Sequence, residues 1–253
     1  MPPLIDAELV AGWLQPEWRV PGVRAWCTTR AGHLSQPPYN GFNTANHVGD
    51  DPVSVACCRQ ALADYFAWPS QPQWLRQVHG IEVVEACPDG VEREADAVHT
   101  FQPGQVCTLH TADCLPVFFA AKDGVEVALA HAGWRGLAAG VMEATLEKFS
   151  CDPSAVVVWL GPAISQPAFE VGHEVRDCFL EQSAANREFF SPNERGRWQG
   201  DLYGLARARL LLAGVKQITG GGLCTYRDPR FFSFRQQPVT GRLLSMIWID
   251  PAQ

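Results

Sequence analysis

The stretch VCTLHTADCLPVFFAAKDGVEVALAHAGWRGLAAGVMEATLEKF, residues 106–149, decides the fold class. Val106–His110, Leu115–Ala120 and Val125–Ala130 are short apolar runs that read as strands buried on both faces, and the last ends at His131. Leu137–Phe149 follows with Leu137, Val141, Leu146 and Phe149 near one helical face and Glu143 and Glu147 free to face water. Working outward, Val78–Ala86 and Val23–Thr28 read as strands, and Asp51–Phe66 as a helix opened by Gly-Asp-Asp-Pro. Ala155–Leu160 is a β-branched strand stopped by Gly161-Pro162, Phe169–Leu180 and Leu202–Ala213 read as helices, and Leu243–Ile249 closes the chain as a hydrophobic strand. Strands and helices mixed in this way predict an α/β fold, a mixed α+β sandwich. No internal repeat or low-complexity linker divides the chain, so residues 1–253 are expected to form one domain.

With 47% apolar residues the 253-residue chain can fill a sizeable core. The formal charge of −7 lacks the basic excess that would neutralise a nucleic-acid backbone, although a small anionic co-substrate needs only a few local cations. The N-terminal stretch has no cationic leader pattern, and no later stretch offers about 18 uninterrupted apolar residues, so a soluble cytoplasmic protein with no membrane partner is expected. Nine cysteines, odd in number and irregularly spaced, argue for reduced structural thiols over a disulfide framework.

Three segments carry unusual chemistry: Gln77-Val78-His79-Gly80, Thr111-Ala112-Asp113-Cys114-Leu115-Pro116 and His131-Ala132-Gly133-Trp134-Arg135-Gly136. Each puts a metal-ligand residue at the edge of an expected strand. Imidazole nitrogen and thiolate sulfur suit zinc, and three protein ligands leave a fourth position open, which is the catalytic pattern. The separations between His79, Cys114 and His131 match no standard short zinc motif, so residue chemistry alone leaves hydrogen-bonded histidines and an inert thiol equally open.

The same segments resemble the YfiH/laccase-domain family, formerly described as multicopper polyphenol oxidases and now as purine nucleoside enzymes. Thr28-Thr29-Arg30, Asn43 with Gly49-Asp50, Cys224-Thr225-Tyr226, Phe232-Ser233-Phe234-Arg235 and Thr240-Gly241-Arg242 also fall in family order, so the resemblance covers nearly the whole chain. It implies zinc on His79, Cys114 and His131 and a fold similar to cytotoxic-necrotising-factor-like cysteine hydrolases. It further implies phosphorolysis of adenosine, inosine and methylthioadenosine, together with adenosine deamination, with purine nucleosides and inorganic phosphate as partners. The chain departs from the family pattern at His33, Thr44 and Cys58, which leaves the metal ligands intact.

The residues bear on each of these chemistries. Seven histidines without a His-x-His pair do not make a full multicopper oxidase, although copper outcompetes zinc at most sites and Cu2+ remains an alternative occupant. Zinc lowers the pKa of a bound water to about 7, as deamination at purine C6 requires, yet the usual deaminase signature is absent. Phosphorolysis needs an anion held near the sugar: Arg135 offers a guanidinium fork where Gly133–Gly136 leads into the Leu137 helix, against a structural turn with a surface ion pair. Asp113 can orient substrate or exchange a proton, or simply cap its turn. Arg30, Asn43, Ser233 and Arg235 are candidate substrate-binding residues, equally able to brace their loops. Phe231, Phe232 and Phe234 read as core, and His47, His99, His110 and His173 as structural. Two further classes stay open: a cysteine-dependent amide hydrolase using Cys114 and His131 on cell-wall precursors, and a non-catalytic binding module that retains metal for stability.

Overall fold

Strands buried on both faces need a layer on each side, and the chain supplies them. The computed structural model describes residues 5–252; residues 1–4 of the N-terminal stretch read above, and Gln253, lie outside it. Along the chain come α1 (Ala7–Ala11), β1 (Val23–Cys27), α2 (Pro52–Phe66), β2 (Leu75–Arg76), β3 (Val83–Glu85), β4 (Arg93–Glu94), β5 (Ala97–Thr100), β6 (Cys107–Thr111), β7 (Leu115–Ala121) and β8 (Val127–Ala132). Then follow α3 (Trp134–Ala139), α4 (Val141–Leu146), β9 (Val156–Leu160), β10 (Glu170–Val171), α5 (His173–Gln182), β11 (Phe190–Pro192), β12 (Trp198–Gly200), α6 (Leu202–Leu212), β13 (Gln217–Gly220) and β14 (Leu243–Ile249).

The central sheet has the order β13-β9-β7-β8-β5-β3, antiparallel through β9-β7-β8-β5 and parallel at its two edges. Alternation along each strand sorts its side chains between two cores. Val117, Phe119, Ala128, Ala130 and Val158 face helices α3 to α6. Phe118, Ala120, Leu129 and Trp159 face the other way, onto Cys27, Leu109 and Ile247 of a three-stranded sheet ordered β1-β14-β6. The outer face of that second sheet, with Trp26, Leu244, Met246 and Trp248, is covered by α1 and α2. The result is a helix–sheet–sheet–helix sandwich, the mixed α/β architecture expected. Among the described residues no helix is long and apolar enough to cross a membrane.

Helix α2 shows how local sequence sets one of these layers. Asp51 caps its start by accepting from the N–H groups of Val53 and Ser54, and Pro52 occupies the first turn, where no N–H is needed. Val55, Cys58, Ala61 and Leu62 form the buried stripe.

Elsewhere the sequence reading needs correction. The expected Leu137–Phe149 helix is split into α3 and α4 by Gly140 at φ 104°, so apolar spacing survives while the backbone turns. The expected Val78–Ala86 strand shrinks to β3, because residues before it form a turn. Strand β8 runs on to Ala132, so His131 lies inside the strand and not beyond it. Helix α5 starts at His173 after the short strand β10, and β2, β4, β5 and β10 to β13 went unread. Glu143 does not simply face water but pairs with Arg209 at 2.7 Å.

One buried hydroxyl fastens the loop behind the site. Tyr203 Oη accepts the Ala163 N–H at 2.7 Å and lies 3.0 and 3.1 Å from the Gly161 and Leu223 carbonyls. It thereby ties the segment after β9 to the one after β13, which Ala163 and Cys224 also bridge. Tyr203→Phe strands the buried Ala163 N–H and is expected to lower the unfolding free energy by about 1–3 kcal/mol. A urea titration with an unchanged midpoint would show that the hydroxyl carries no such load.

Candidate functional site

The site begins with a carboxylate that the sequence reading did not single out. Asp96, fully buried just before β5, accepts the consecutive N–H groups of Val78, His79 and Gly80 at 3.1, 2.9 and 2.6 Å. Those amides are withdrawn from any strand ladder, which is why the expected strand does not form there. The turn holds His79 at φ 62°, a left-handed backbone uncommon for a residue with a side chain. The same carboxylate receives His131 Nδ1 at 2.8 Å, and its carbonyl receives the His131 N–H at 2.7 Å. Burial works against the Asp96 charge, but the hydrogen bonds from His131 and the Gly80 and Val78 amides hold the carboxyl below its usual range.

Cys114 stands at the other side of this turn, immediately before β7. Its neighbour Asp113 sits at φ 90°, and the Asp113 carboxylate accepts the Thr225 hydroxyl at 2.6 Å and the Arg235 N–H at 2.7 Å. These bonds pull the segment between β13 and β14 over the site. Pairing of Leu115 with Ala132 and Pro116 with His131 then sets the start of β7 beside the end of β8.

His79, Cys114 and His131 consequently converge, with one ligand atom from each lying within 4.8 Å of the others. Cys114 Sγ is 3.7 Å from His79 Nε2. Because His131 Nδ1 is engaged by Asp96, its Nε2 is the nitrogen left for a metal or the thiol. Burial disfavours a Cys114 thiolate, yet the His131 charge and hydrogen bonds from both histidines outweigh it and bring the thiol down to about 6. Burial likewise opposes the His131 imidazolium, and Cys114 and Asp96 overcome it, pushing it up to about 9. Buried thiols away from this group move the opposite way: burial pushes Cys27 and Cys58 up to about 12. Exposure falls from His79, exposed, through Cys114 to buried His131, so the group opens on the His79 side.

Two cavities meet at this group and share His79, Ala112, Cys114, Arg135 and Phe234. One, about 280 Å³, is mainly apolar, with Trp134, Ile164, Phe169 and Leu202. The other, about 420 Å³, is lined mostly by residues with polar side chains, among them His47, Gln77, His110, Thr111 and Arg242. A larger cavity of about 630 Å³, around His99, Glu126 and Ser150, contains none of these site residues.

The structure therefore brings together only some of the residues singled out from sequence. Asp113 and Arg235 line the apolar lobe, and exposed Arg135 stands on the border of both. Helix α3, which begins at Trp134, has only six residues, so the dipole expected to favour an anion beside Arg135 is short. Asn43 is buried, donates to Asp50 at 2.8 Å and accepts the Arg242 N–H, and buried Ser233 accepts the Gln236 N–H: both brace loops outside the two lobes. Arg30, also outside, donates to the Asn40 carbonyl and lies over the Phe232 ring. Phe231 and Phe232 are core, as expected, but Phe234 is 52% exposed and borders both lobes. His99 pairs with Glu126, and His173 receives a bond from Trp198. The signal for Asp96 was present: a lone acid between Ala95 and Ala97 must be paired if that run is buried.

Known proteins share this arrangement of chain. A Pseudomonas aeruginosa protein named purine nucleoside phosphorylase is 49% identical over 94% of this chain and 98% of its own length. The Escherichia coli purine nucleoside phosphorylase YfiH is 46% identical over 92% and 97%. The crystal structure of Neisseria meningitidis protein NMB0706 superposes with a TM-score of 0.90 at 39% identity, covering 94% of this chain and 99% of that one. Residues 24–250 match the family described as multi-copper polyphenol oxidoreductase laccase, and the chain belongs to that family, with YfiH among its relatives.

Proposed function

We propose that the chain is a zinc-dependent purine nucleoside phosphorylase acting on adenosine, inosine and methylthioadenosine, with adenosine deamination as a second activity. The observation that carries this reading is the meeting of an aromatic-walled lobe and a polar lobe at one His-Cys-His group, in a chain whose relatives are named purine nucleoside phosphorylases. A planar purine suits the ring faces of Trp134, Phe169 and Phe234, while the sugar lies toward the border of the lobes. In phosphorolysis an oxygen of phosphate bonds to C1′ as the C1′–N9 bond breaks. The electron pair leaves with the purine, which takes up the proton given by phosphate. Arg135 supplies charge at the border, and Asp113, already accepting two hydrogen bonds, positions the Thr225 and Arg235 segment.

The donor set fits zinc. Two imidazole nitrogens and a readily ionised sulfur are its preferred ligands, and neighbouring ligands around a tetrahedral zinc lie roughly 3.5 Å apart by its usual bond lengths, close to the 3.7 Å between Cys114 Sγ and His79 Nε2. The space between them is guarded by Gly133, whose φ of −62° any residue can adopt. A Cβ there would stand 2.9 Å from His79 Cδ2 and 3.0 Å from Cys114 Sγ, so the glycine serves room and not conformation. When bound, zinc supplies a Lewis acid at the junction of the lobes, the chemistry that deamination at purine C6 requires.

A second reading has its own observation. Cys114, His131 and Asp96 stand in the order of nucleophile, base and orienting carboxylate, the arrangement of a cysteine-dependent amide hydrolase. Metal on the thiolate excludes that chemistry, so occupancy separates the two readings.

Purified protein is expected to hold about one zinc per chain, and His79→Ala, Cys114→Ala or His131→Ala each to remove most of it. Gly133→Ala should lower occupancy with all three ligands intact. Elemental analysis after dialysis measures this, and full occupancy in the ligand variants would sink the assignment. In chelator-treated protein at pH 7, above the lowered Cys114 value, iodoacetamide should label Cys114 and spare Cys27 and Cys58; zinc should protect it. Peptide mass mapping that finds no preference for Cys114 contradicts the thiolate pair. Finally, inosine with phosphate should yield hypoxanthine and ribose 1-phosphate, and turnover should nearly stop without phosphate. Inosine carries no amino group at C6, so glycosidic cleavage is isolated from deamination. Equal product from His131→Ala, or none from zinc-replete protein, would remove phosphorolysis.

A further inference from the structure

The cavity of about 630 Å³ shares no residue with the two lobes at the metal group, yet ionisable side chains are buried in its wall. His99 on β5 and Glu126, immediately before β8, both line it and are only 6% and 5% exposed. They sit at one end of the paired strands β5 and β8, while Asp96 and His131 occupy the other end. Ionisable groups at such depth are rare unless partners fix them.

Glu126 is fully engaged. Its carboxylate accepts the Ser150 N–H at 3.0 and 3.1 Å, the Ser150 hydroxyl, and His99 Nε2 at 3.1 Å. Burial opposes its charge, but the bonds from Ser150 and His99 hold the carboxyl below its usual range. An ionised acceptor keeps the shared proton on Nε2, so Nδ1 is the ring nitrogen left over. Nδ1 has no hydrogen-bond partner among the described residues, and it is not one of the unsatisfied polar atoms closed off from solvent. Tying Ser150 to β5 needs only Nε2 and the carboxylate, so that structural task leaves Nδ1 unused. Phe149, packed edge-on against the imidazole at 5.2 Å, braces the ring from the core side.

The walls define what can meet that nitrogen. Val83, Val84, Phe101 and Val125 are apolar, and Phe101 and Val125 are more than half exposed, so apolar surface flanks a buried acceptor. The Phe101 ring stands 6.3 Å from the His99 ring at an angle of 48°, which lets a flat molecule lie on the phenyl face with its edge toward the imidazole. Exposed Glu85 and Lys148 at the rim offset each other, and the Glu126 charge is already met by Ser150 and His99. Nothing in the cavity is left to select an ion.

We propose that this cavity is a second ligand site, for a neutral, flat heterocycle that stacks on Phe101 and donates a ring N–H to His99 Nδ1. Its volume suits a molecule of two fused rings. Purine bases and indoles share that chemistry. The site uses no residue of the metal group, so it stands independently of the phosphorolysis reading.

The test titrates adenine and indole into the full chain as purified, in wild type, His99→Gln and Phe101→Ser, with imidazole nitrogens and valine methyl groups followed by NMR. At least one heterocycle should shift His99 Nδ1 together with the Val83 and Val125 methyls, saturably and at millimolar concentration or below. The methyls report binding at this cavity alone, so a ligand that also enters the lobes at the metal group does not confuse the result. His99→Gln keeps a donor for Glu126 without the imidazole and should weaken binding about threefold to tenfold. Phe101→Ser changes an exposed side chain, which leaves folding intact, and should weaken binding about fivefold. A response to adenine alone assigns a purine base and one to indole alone an indole, and either supports the site. Benzoate and benzamidine, flat but charged, should bind at least tenfold more weakly. No saturable response to either heterocycle, wild-type affinity in Phe101→Ser or in folded His99→Gln, or binding of either ion as tight as that of the heterocycles overturns the proposal.

Discussion

The Asp96 carboxylate is the constraint on which the rest of the site depends. It is buried, and it gathers three consecutive amide N–H groups and one imidazole N–H. Each bond offsets part of the cost of taking a charge out of water, and together they impose two geometries at once. The amides fix a turn that presents His79 from a left-handed backbone, and the imidazole bond selects which nitrogen His131 turns toward Cys114. Losing the carboxylate would strand the amides and release both histidines. The strain at His79 persists because this network over-determines it.

Layering explains why the group forms where it does. The start of β7, the end of β8 and the residue before β5 are neighbours in one sheet, so three ligand-bearing or ligand-orienting residues meet without any of them being close in sequence. Cores on both faces of that sheet leave little freedom for these strand ends to slide. Segments outside the sheet are then brought in by polar clamps. Thr225 and Arg235 bond to Asp113, Tyr203 fastens the chain near Ala163, and Asn43 receives the Arg242 amide. Several polar residues outside the sheet thus act by holding walls of the two lobes in place.

The layers were legible because apolar runs report burial on both faces, and Leu243–Ile249 reads correctly to the residue. What periodicity cannot report is a turn imposed from a distance. The residues around His79 look strand-like locally, and only a carboxylate from the neighbouring chain segment makes them turn. Gly140 hides for a related reason: Leu137 and Val141 both reach the same core, so their spacing is helical across a backbone that is not. Asn43 and Ser233 sit in motifs that point to the site, yet buried hydrogen bonds occupy them elsewhere. Phe234 was hidden among three aromatics, of which two are core and one is wall.

The same three polar groups satisfy two chemistries that cannot operate together. Without metal, Cys114 and His131 stabilise each other as thiolate and imidazolium, an arrangement that favours nucleophilic attack by sulfur. A metal ion requires the thiolate but a neutral imidazole, so binding releases the His131 proton and takes the sulfur lone pair out of use. Asp96 serves either state, because it accepts the Nδ1 proton in both. The electrostatics that lower the thiol therefore prepare a metal ligand as well as they would prepare a nucleophile. Gly133 keeps a Cβ out of the space beside Cys114 and His79, and that room serves a metal ion held by the two as well as it serves a substrate approaching the thiolate.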